Sequence, residues 1–401
     1  MRQTLLLFLL VGSFALQAQS PKVIGYLPYY RFALKDQIPF DKLTHLNLSF
    51  LNPDTLGNWS IGNADVSPVI QQARLLNPNI KIYISVAGGA LTAEWEAAYD
   101  KFMQPAEMPG FVHSLMVYAE QYQLDGLDID LEWSHVNALY SPFVLALRDS
   151  VDTHGLGLTA ALPGTYRYPD ISSQALAAYD WINLMAYDLT GSWAPNNPGP
   201  HSPYSFAQQS ITYWQGQGLT QSTMVLGVPF YGYDFSSGGS SFTYGSMVAE
   251  DTSYAQLDQV GQRYYNGIPT IRSKTALALQ SCDGIMIWEL GQDAFGERQS
   301  YSLLSTIDES INISSAIGDD LLSSILVGPN PFQTSFNIYK AASSQPIQWT
   351  LWDLQGKMIQ QGSIQASSTQ SNILVTDLPS GVYTLRLNFN DRSFHKKLIK
   401  Y

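Results

Sequence analysis

The sequence has little cysteine and little charge. Cys282 is the only cysteine among 401 residues, so no disulfide can form within the chain and stability must come from a buried core. Charged residues make up only 13% of the chain and the formal net charge is −12. A weakly charged, acidic surface excludes nucleic acid as a partner, because binding to phosphate backbones needs clustered Lys and Arg. The 45% share of hydrophobic residues is enough for one large domain and a smaller one.

Long apolar runs are missing after the N-terminus. The first residues combine the basic Arg2, an apolar stretch over 5–16 and the small Ala18. This pattern predicts a secretory signal peptide over residues 1–18. No later run reaches that length, so we expect an exported protein without a membrane span.

Aromatic residues, by contrast, are plentiful. They form 12% of the chain and include 24 Tyr and 9 Trp. Their flat, amphipathic rings supply stacking surfaces as well as core, and sugars are typical ligands of such surfaces.

Three acidic residues alternate with aliphatic ones in residues 124–133, LDGLDIDLEW. In a β-strand, successive side chains point to opposite faces, so Asp128, Asp130 and Glu132 share one face. Crowded, buried carboxyl groups raise at least one pKa, which produces an acid that can donate a proton near neutral pH. The segment therefore predicts an acid-base site on a strand.

Two other interpretations of this segment stay open. An edge strand with a solvated polar face would also alternate, although its apolar residues are bulky and Gly126 follows a helix-like segment, as in a buried βα unit. A calcium loop also places oxygen ligands at alternate positions, but the glycine at its sixth position is missing here. Acids two residues apart on a strand lie roughly 6.6 Å apart and converge poorly on one ion. We predict neither a metal nor a cofactor.

Eight short apolar runs, separated by helix-like or loop segments, predict an α/β fold, the (β/α)8 TIM barrel. The runs cover residues 23–27, 43–50, 80–86, 126–132, 158–162, 181–186, 224–228 and 284–288. Catalytic residues of such barrels lie at the C-terminal ends of the strands. Ser85, Glu132, Tyr187 and Trp288 all occupy that position.

The sequence changes character near residue 312. A Ser-rich segment predicts a linker over 312–325, after a barrel domain over 21–311. Residues 326–401 contain short alternating runs separated by Gly, Asn and Ser, which predicts a small all-β, Ig-like sandwich.

Residues 21–311 resemble glycoside hydrolase family 18, the chitinases and endo-β-N-acetylglucosaminidases. The DGLDIDLE run over 125–132 is similar to the family's DGxDxDxE signature, and MAYD over 185–188 is similar to its MxYD motif. Trp288 matches the tryptophan on the last strand. Further similarities are found at Gly25, Tyr26, Phe50, Trp193 and residues 227–232, which include Tyr231.

The resemblance implies a role for each polar residue of the site. Glu132 would protonate the glycosidic oxygen and later activate water, while the substrate's own acetamido group attacks and forms an oxazolinium intermediate. Asp130 would hold the acetamido N–H, Asp128 would support Asp130, and Tyr187 would donate its hydroxyl to the acetamido carbonyl. The spacing of the acids alone does not decide between retention and inversion.

The resemblance also implies a substrate-binding set, with Met185 as a wall and Trp288 as the floor. The set comprises Tyr26, Phe50, Gly88, Gly89, Met185, Asp188, Trp193, Tyr231 and Trp288. The expected substrate is chitin or chitooligosaccharide, cut at β-1,4 linkages in endo fashion. An endo-β-N-acetylglucosaminidase acting on N-glycans or peptidoglycan, and a non-catalytic chitin-binding lectin, are the alternatives.

The chain departs from the family pattern in two places. The SxGG motif is one residue longer, SVAGG over 85–89, and is followed by Ala90 where many chitinases carry a stacking tryptophan. We expect residues 230–283, between the last two strands, to be too few for the α+β insertion that deepens some clefts. Both departures predict an open cleft.

The tail resembles a type IX secretion sorting domain. The similarity lies in PNPF over 329–332, LQGK over 354–357, GVY over 381–383 and the lysines at 396–397. It implies recognition by the type IX secretion machinery and a secreted location, extracellular or at the outer cell surface. A fibronectin-like or sugar-binding sandwich is the alternative.

Overall fold

The structure is a computed structural model that describes residues 20–312, 325–340, 345–389 and 392–401. The predicted signal peptide lies outside the described residues, as does most of the predicted linker. The chain divides into two compact units, one over Pro21–Ile311 and one that contains Asn312–Tyr401.

The first unit contains the predicted (β/α)8 barrel, which is confirmed. Its eight parallel strands are β1 Lys22–Pro28, β2 His45–Pro53, β3 Lys81–Ala87, β4 Gly126–Asp130, β5 Gly157–Pro163, β6 Trp181–Met185, β7 Met224–Pro229 and β8 Gly284–Trp288. Each strand pairs with its neighbours in chain order, and β8 pairs with β1 in the register Lys22 to Gly284, which closes the sheet. A short strand, Trp59–Ser60, pairs antiparallel with the end of β2.

Helices follow most of the strands and cover the barrel. They are α1 Ser67–Leu76, α2 Ala93–Phe102, α3 Met108–Gln121, α4 Tyr140–His154, α5 Ser173–Ala177, α6 Tyr204–Gly216, α7 Tyr244–Glu250, α8 Ile268–Ser281 and α9 over residues 303–312. In α4, Phe143, Leu147 and Val151 recur at helical spacing and are buried. Gly155 then ends the helix with φ 66°, a left-handed conformation that favours glycine.

The two faces of β4 differ as the sequence predicts. Leu127 and Ile129 are buried in the large apolar core. Asp128 and Asp130, also buried, alternate with them on the opposite face of the strand. Glu132 lies two residues after Asp130, the last residue of β4, and has an extended conformation with φ −124° and ψ 169°, so the alternation continues to it.

The connection between β7 and β8 folds into a small antiparallel sheet. Its strands are Tyr231–Asp234, Ser240–Thr243, Gln259–Val260 and Arg263–Tyr264. Helix α7 lies between the second and third of them. The expectation that this connection is too short for an α+β insertion is therefore wrong, because strands of two to four residues build a compact one.

The second unit consists of two antiparallel sheets, which agrees with the predicted all-β sandwich. Its strands are β9 Leu326–Gly328, β10 Ser335–Tyr339, β11 Ile347–Asp353, β12 Met358–Ile364, β13 Gln370–Leu374, β14 Gly381–Phe389 and β15 Arg392–Lys400. One sheet has the order β9-β10-β13 and the other β12-β11-β14-β15. Phe336 and Ile338 of the first sheet share an apolar core with Leu351 and Leu385 of the second.

No helix in the part of the chain that the structure describes combines the length and the apolar character that crossing a bilayer requires.

Candidate active site

A cleft of about 480 Å³ lies at the C-terminal ends of the barrel strands. Nine of the residues predicted from the sequence line it. They are Tyr26, Phe50, Gly89, Asp130, Glu132, Met185, Tyr187, Asp188 and Trp288. Six different strands or strand ends thus bring these residues together, which is the arrangement expected at the mouth of a barrel.

Asp128 lies below the cleft, where four side chains donate hydrogen bonds to it. Tyr26 and Ser85 bond to Oδ2 at 2.6 and 2.8 Å, and Thr159 and Asn183 bond to Oδ1 at 2.6 and 3.2 Å. The donors come from β1, β3, β5 and β6, so the carboxyl group joins four strands inside the barrel. Burial raises the pKa of Asp128, and the four hydrogen bonds oppose that rise by stabilising the carboxylate.

Asp130 has a very different environment. It is buried, and none of the described residues donates a hydrogen bond to its Oδ1. Burial raises the pKa of Asp130 well above its ordinary value, and the charges of Glu132 and Asp128 raise it further. Since a buried, unpaired polar atom costs free energy, this oxygen is suited to a hydrogen bond with a ligand.

Glu132 is the most chemically suggestive residue of the cleft. Burial, together with repulsion from the Asp188 carboxylate, raises the pKa of Glu132 to about 7. A carboxyl group with this pKa is substantially protonated near neutral pH and is able to act as a general acid.

Gly89 makes room for Glu132. A Cβ atom at position 89 would lie 2.4 Å from Oε1 of Glu132, so any side chain there would force the carboxyl group to move. Gly88, the other predicted glycine, has φ 91° and would place a Cβ 2.5 Å from the Phe50 ring. The two glycines therefore allow Glu132 and Phe50 to approach the end of β3.

Tyr187 lines the cleft and has only a weak acceptor for its hydroxyl group. Its nearest hydrogen-bonding partner among the described residues is the sulfur of Met286, at 4.0 Å. Burial raises the pKa of Tyr187 well above its ordinary value, and the neighbouring carboxylates add to the rise. The hydroxyl group stays protonated and remains available as a donor.

Asp188 is held by residues from outside the barrel strands. Tyr231 and Tyr233, both in the insertion, donate to its Oδ1 at 2.5 and 3.1 Å. His201 Nδ1 lies 3.3 Å from the same oxygen. Tyr231, predicted as substrate-binding, thus contacts Asp188 rather than lining the cleft.

An aromatic floor forms around Trp288. Its ring stacks on Phe50 with centroids 5.5 Å apart and meets the edge of Tyr26 at 5.6 Å. Met185 lines the same cleft. Trp193, in contrast, lies outside this set of lining residues. It is exposed and contacts Tyr233 with ring centroids 5.6 Å apart, so its role in substrate binding stays a prediction.

Several cleft residues were not predicted from the sequence. The aromatic ones are Tyr29, Tyr30, Trp95 and Trp133. Trp133 directly follows Glu132 and is 65% exposed, while its indole N–H donates to the carbonyl of Gly89 at 3.2 Å. Because Trp133 directly follows the acid series, its place in the cleft could have been predicted from the sequence. Tyr30 and Trp95 lie in connecting segments without a strand pattern.

Backbone strain is concentrated at this cleft. Ala87, Trp133 and Asp188 have positive φ angles of 81°, 58° and 63°, although none is glycine. All three line the cleft. Such conformations cost free energy and tend to occur where function requires a particular side-chain position.

The carboxyl groups of the site do not form a metal centre. Among the described residues, no group of three or more His, Cys, Asp or Glu side chains is arranged to hold a metal ion.

Comparison with known proteins assigns the barrel to a protein family. The model of the family described as "Glycosyl hydrolases family 18" matches residues 22–293. The chain belongs to glycosyl hydrolases family 18. The model described as "Secretion system C-terminal sorting domain" matches residues 327–401 of this family-18 chain. Both resemblances predicted from the sequence are thereby confirmed.

Solved structures similar to the family-18 chain include the GH18 chitinase ChiB from the chitin utilization locus of Flavobacterium johnsoniae. Sequence identity is 41% and the TM-score 0.72, over 74% of this chain and 96% of the other. A chitinase from Bacteroides thetaiotaomicron is 27% identical with a TM-score of 0.65, over 73% of this chain and 97% of the other. An endochitinase of Manduca sexta is 26% identical over 55% of this chain and 46% of its own length. The chain thus spans about half the length of the first curated relatives that it matches.

Proposed function

We propose that this protein is a retaining chitinase, which hydrolyses β-1,4 linkages between N-acetylglucosamine units of chitin or chitooligosaccharides. The observation that carries the proposal is Glu132, a carboxyl group with a pKa of about 7 in a cleft floored by Trp288 and Phe50. Glu132 protonates the glycosidic oxygen as the bond breaks and, once ionised, takes a proton from the attacking water.

The surroundings of the other carboxyl groups support a nucleophile supplied by the substrate. Asp128 is saturated by four hydrogen bonds below the cleft, and Asp188 is engaged by two tyrosine hydroxyls. Asp130 is a weak nucleophile because burial and neighbouring charges favour its protonated form. Membership of family 18 implies that the carbonyl oxygen of the substrate's 2-acetamido group attacks instead.

Two polar groups in the cleft suit that acetamido group. Oδ1 of Asp130 lacks a donor and accepts its N–H, while the Tyr187 hydroxyl donates to its carbonyl oxygen. Together they turn the carbonyl oxygen toward the anomeric carbon and limit its rotation. Such positioning contributes to catalysis by lowering the entropy lost in reaching the transition state.

The substrate class is supported by the aromatic lining and by the relatives. Trp133 follows β4 and Trp288 ends β8, on opposite sides of the eight-stranded barrel, and both indole rings line the cleft in which a chain of sugars would stack. The similar chitinase of Flavobacterium johnsoniae comes from a chitin utilization locus, as its name states. A cleft with stacking surfaces on both sides favours internal cleavage.

Export is the second part of the proposal. The sorting domain over residues 327–401 supports passage through the type IX secretion machinery. We propose that the enzyme acts outside the cell or at the outer cell surface, where polymeric chitin is accessible.

The test is product analysis by mass spectrometry after incubation with chitohexaose, a high-mannose glycoprotein and peptidoglycan. Internal cleavage of chitohexaose, with retention at the anomeric carbon by NMR, is the expected result. Cleavage of the glycoprotein or peptidoglycan alone would reassign the substrate to that glycan. Binding of chitohexaose without cleavage of any substrate would indicate a lectin and contradict the proposal.

A further inference from the structure

Lys274 is a fully buried lysine in the middle of α8, outside the cleft. Its Nζ donates three hydrogen bonds of 2.7 Å each, to the carbonyl oxygen of Ser202, the hydroxyl of Ser202 and Oδ1 of Asn266. We refer to Lys274, Ser202 and Asn266 as the Lys274 cluster. None of the three acceptors carries a charge.

The hydrogen bonds around the cluster require an ammonium group. Asn266 uses its amide nitrogen to donate to the carbonyls of Ser202 and Tyr265, at 2.9 and 3.1 Å, so its Oδ1 is an acceptor. The Ser202 hydroxyl donates its proton to the carbonyl of Ala186 at 2.6 Å. All three partners of Nζ therefore accept, and only the protonated amine has three hydrogens to give.

Stability of the fold alone does not explain such a group. Burial lowers the pKa of Lys274 to about 7, and the Asp258 carboxylate acts in the opposite direction. A buried ammonium without a carboxylate in contact costs free energy, and its three hydrogen bonds offset part of that cost. The cost points to a role that depends on the three hydrogen bonds.

The first link from the cluster to the cleft runs through the Ser202 hydroxyl. Its acceptor, the carbonyl of Ala186, directly precedes Tyr187 in the chain. Ala186 is fully buried, so this hydrogen bond fixes the backbone at the point where it leaves β6 and enters the cleft.

The second link runs through His201, the residue before Ser202. The amide of Asp188 donates to His201 Nδ1 at 3.4 Å, and the amide of Leu189 donates to the His201 carbonyl at 3.0 Å. His201 Nε2 lies 3.1 Å from the carbonyl of Tyr231. Holding Ser202 in place therefore also holds the histidine that contacts Asp188.

We propose that Lys274 is a positioning residue, whose ammonium group fixes Ser202 and His201 and thereby places Tyr187 and Asp188 in the cleft. The catalytic consequence rests on the function proposed above. The structural consequence, an ordered backbone after β6, does not depend on it.

The test compares Lys274→Met with Thr275→Val in the full chain. Thr275 is the next residue of α8, is equally buried, and its hydroxyl bonds within the helix to the carbonyl of Ile271 at 2.8 Å. Hydrogen exchange of the Asp188 and Leu189 amides reports on the backbone directly. We expect exchange to accelerate about tenfold or more in Lys274→Met and to stay unchanged in Thr275→Val.

Kinetics on chitooligosaccharides provide the second measurement. Lys274→Met is expected to lower kcat by about tenfold or more with a smaller change in KM, because Tyr187 is proposed to hold the acetamido group and Asp188 raises the pKa of Glu132. Ser202→Ala, which removes the hydroxyl bond to Ala186, is expected to have the same effects and serves as the test if Lys274→Met does not fold.

The exchange and cleavage results together distinguish the role proposed for Lys274 from the function proposed for the cleft. Folded Lys274→Met or Ser202→Ala with unchanged exchange at Asp188 and Leu189 would overturn the role of Lys274. Faster exchange in these variants, together with no cleavage of any glycan by the wild type, would retain that role for the backbone and reject the proposed function instead.

Discussion

Three acidic residues of one strand segment have different chemical states because their neighbours differ. Asp128 receives four hydrogen bonds and Asp130 has an oxygen without a donor. Glu132 shares the cleft with Asp188, whose charge adds to the effect of burial on the pKa of Glu132. Environment rather than residue type therefore distinguishes the roles that we propose for them, with Asp128 as stabiliser, Asp130 as ligand holder and Glu132 as acid.

The pH profile of kcat/KM follows from Glu132. Its pKa is raised from an ordinary value near 4.5 to about 7, so the protonated acid predominates below pH 7 and is lost above it. We expect kcat/KM to fall about tenfold per pH unit well above that pKa. Initial rates on a soluble chitooligosaccharide between pH 4 and 9 measure this. A profile that stays flat up to pH 9 would show that Glu132 is not the essential acid.

Gly89→Ala tests how closely Glu132 must be placed. The new Cβ would lie 2.4 Å from Oε1 of Glu132 and would push the carboxyl group away from its position. Misplacing a catalytic group by about 1 Å can lower kcat about 10²-fold, so we expect a loss of this order. Gly110→Ala in α3, where a Cβ meets no atom within 4 Å, is the matched control and is expected to retain full activity. Equal kcat values for both variants would contradict the account.

At the scale of secondary structure elements, strand periodicity carried most of the predictive signal. Alternation placed Asp128 and Asp130 on the inner face and extended to Glu132, beyond the last residue of β4. Asn183 was missed, although it lies two residues before Met185 on β6 and alternation puts both on the same face. Tyr30 and Trp95 were not predictable in this way, because their positions depend on how connecting segments fold over the barrel mouth.

The ion pair between Arg31 and Glu289 connects the segments that follow β1 and β8. Arg31 lies in the 3-10 helix Tyr29–Leu34 after β1, and its Nε is 3.0 Å from Oε1 of Glu289, which is fully buried just after β8. Tyr30, in the same short helix, lines the cleft.

Arg31→Met is expected to lower the free energy of unfolding by about 3 kcal/mol, because it leaves the Glu289 carboxylate buried without its cation. Lys35→Met removes a partly exposed ion pair with Asp36 at the end of the same helix and is expected to cost less than about 1 kcal/mol. Urea unfolding followed by tryptophan fluorescence compares the two variants. Equal losses would mean that the Arg31 pair does not stabilise this end of the barrel.

At the scale of the whole molecule, the sequence predicted two kinds of fold in one chain. Eight apolar runs indicated the barrel, and the change to short alternating runs after residue 325 indicated the all-β tail. The small insertion between β7 and β8 was not predicted, since strands of two to four residues leave too short a pattern to recognise. Its two tyrosines nevertheless hold Asp188.

A variant that ends at residue 312 tests the independence of the barrel. The residues predicted to act in catalysis all lie within Pro21–Ile311, a compact unit with its own core. We expect kcat/KM on soluble chitooligosaccharides to stay within about twofold of that of the full chain. A folded variant with far lower activity would show that the sorting domain contributes to the site.

The most direct test of the central claim is turnover by Glu132→Gln, measured beside its affinity for chitohexaose by calorimetry. The substitution keeps the shape of the side chain and removes the transferable proton, so kcat is expected to fall by about 10²- to 10⁴-fold while Kd changes little. Near-normal kcat in the folded variant would contradict the assignment of Glu132 as the proton donor, and with it the mechanism proposed for this cleft.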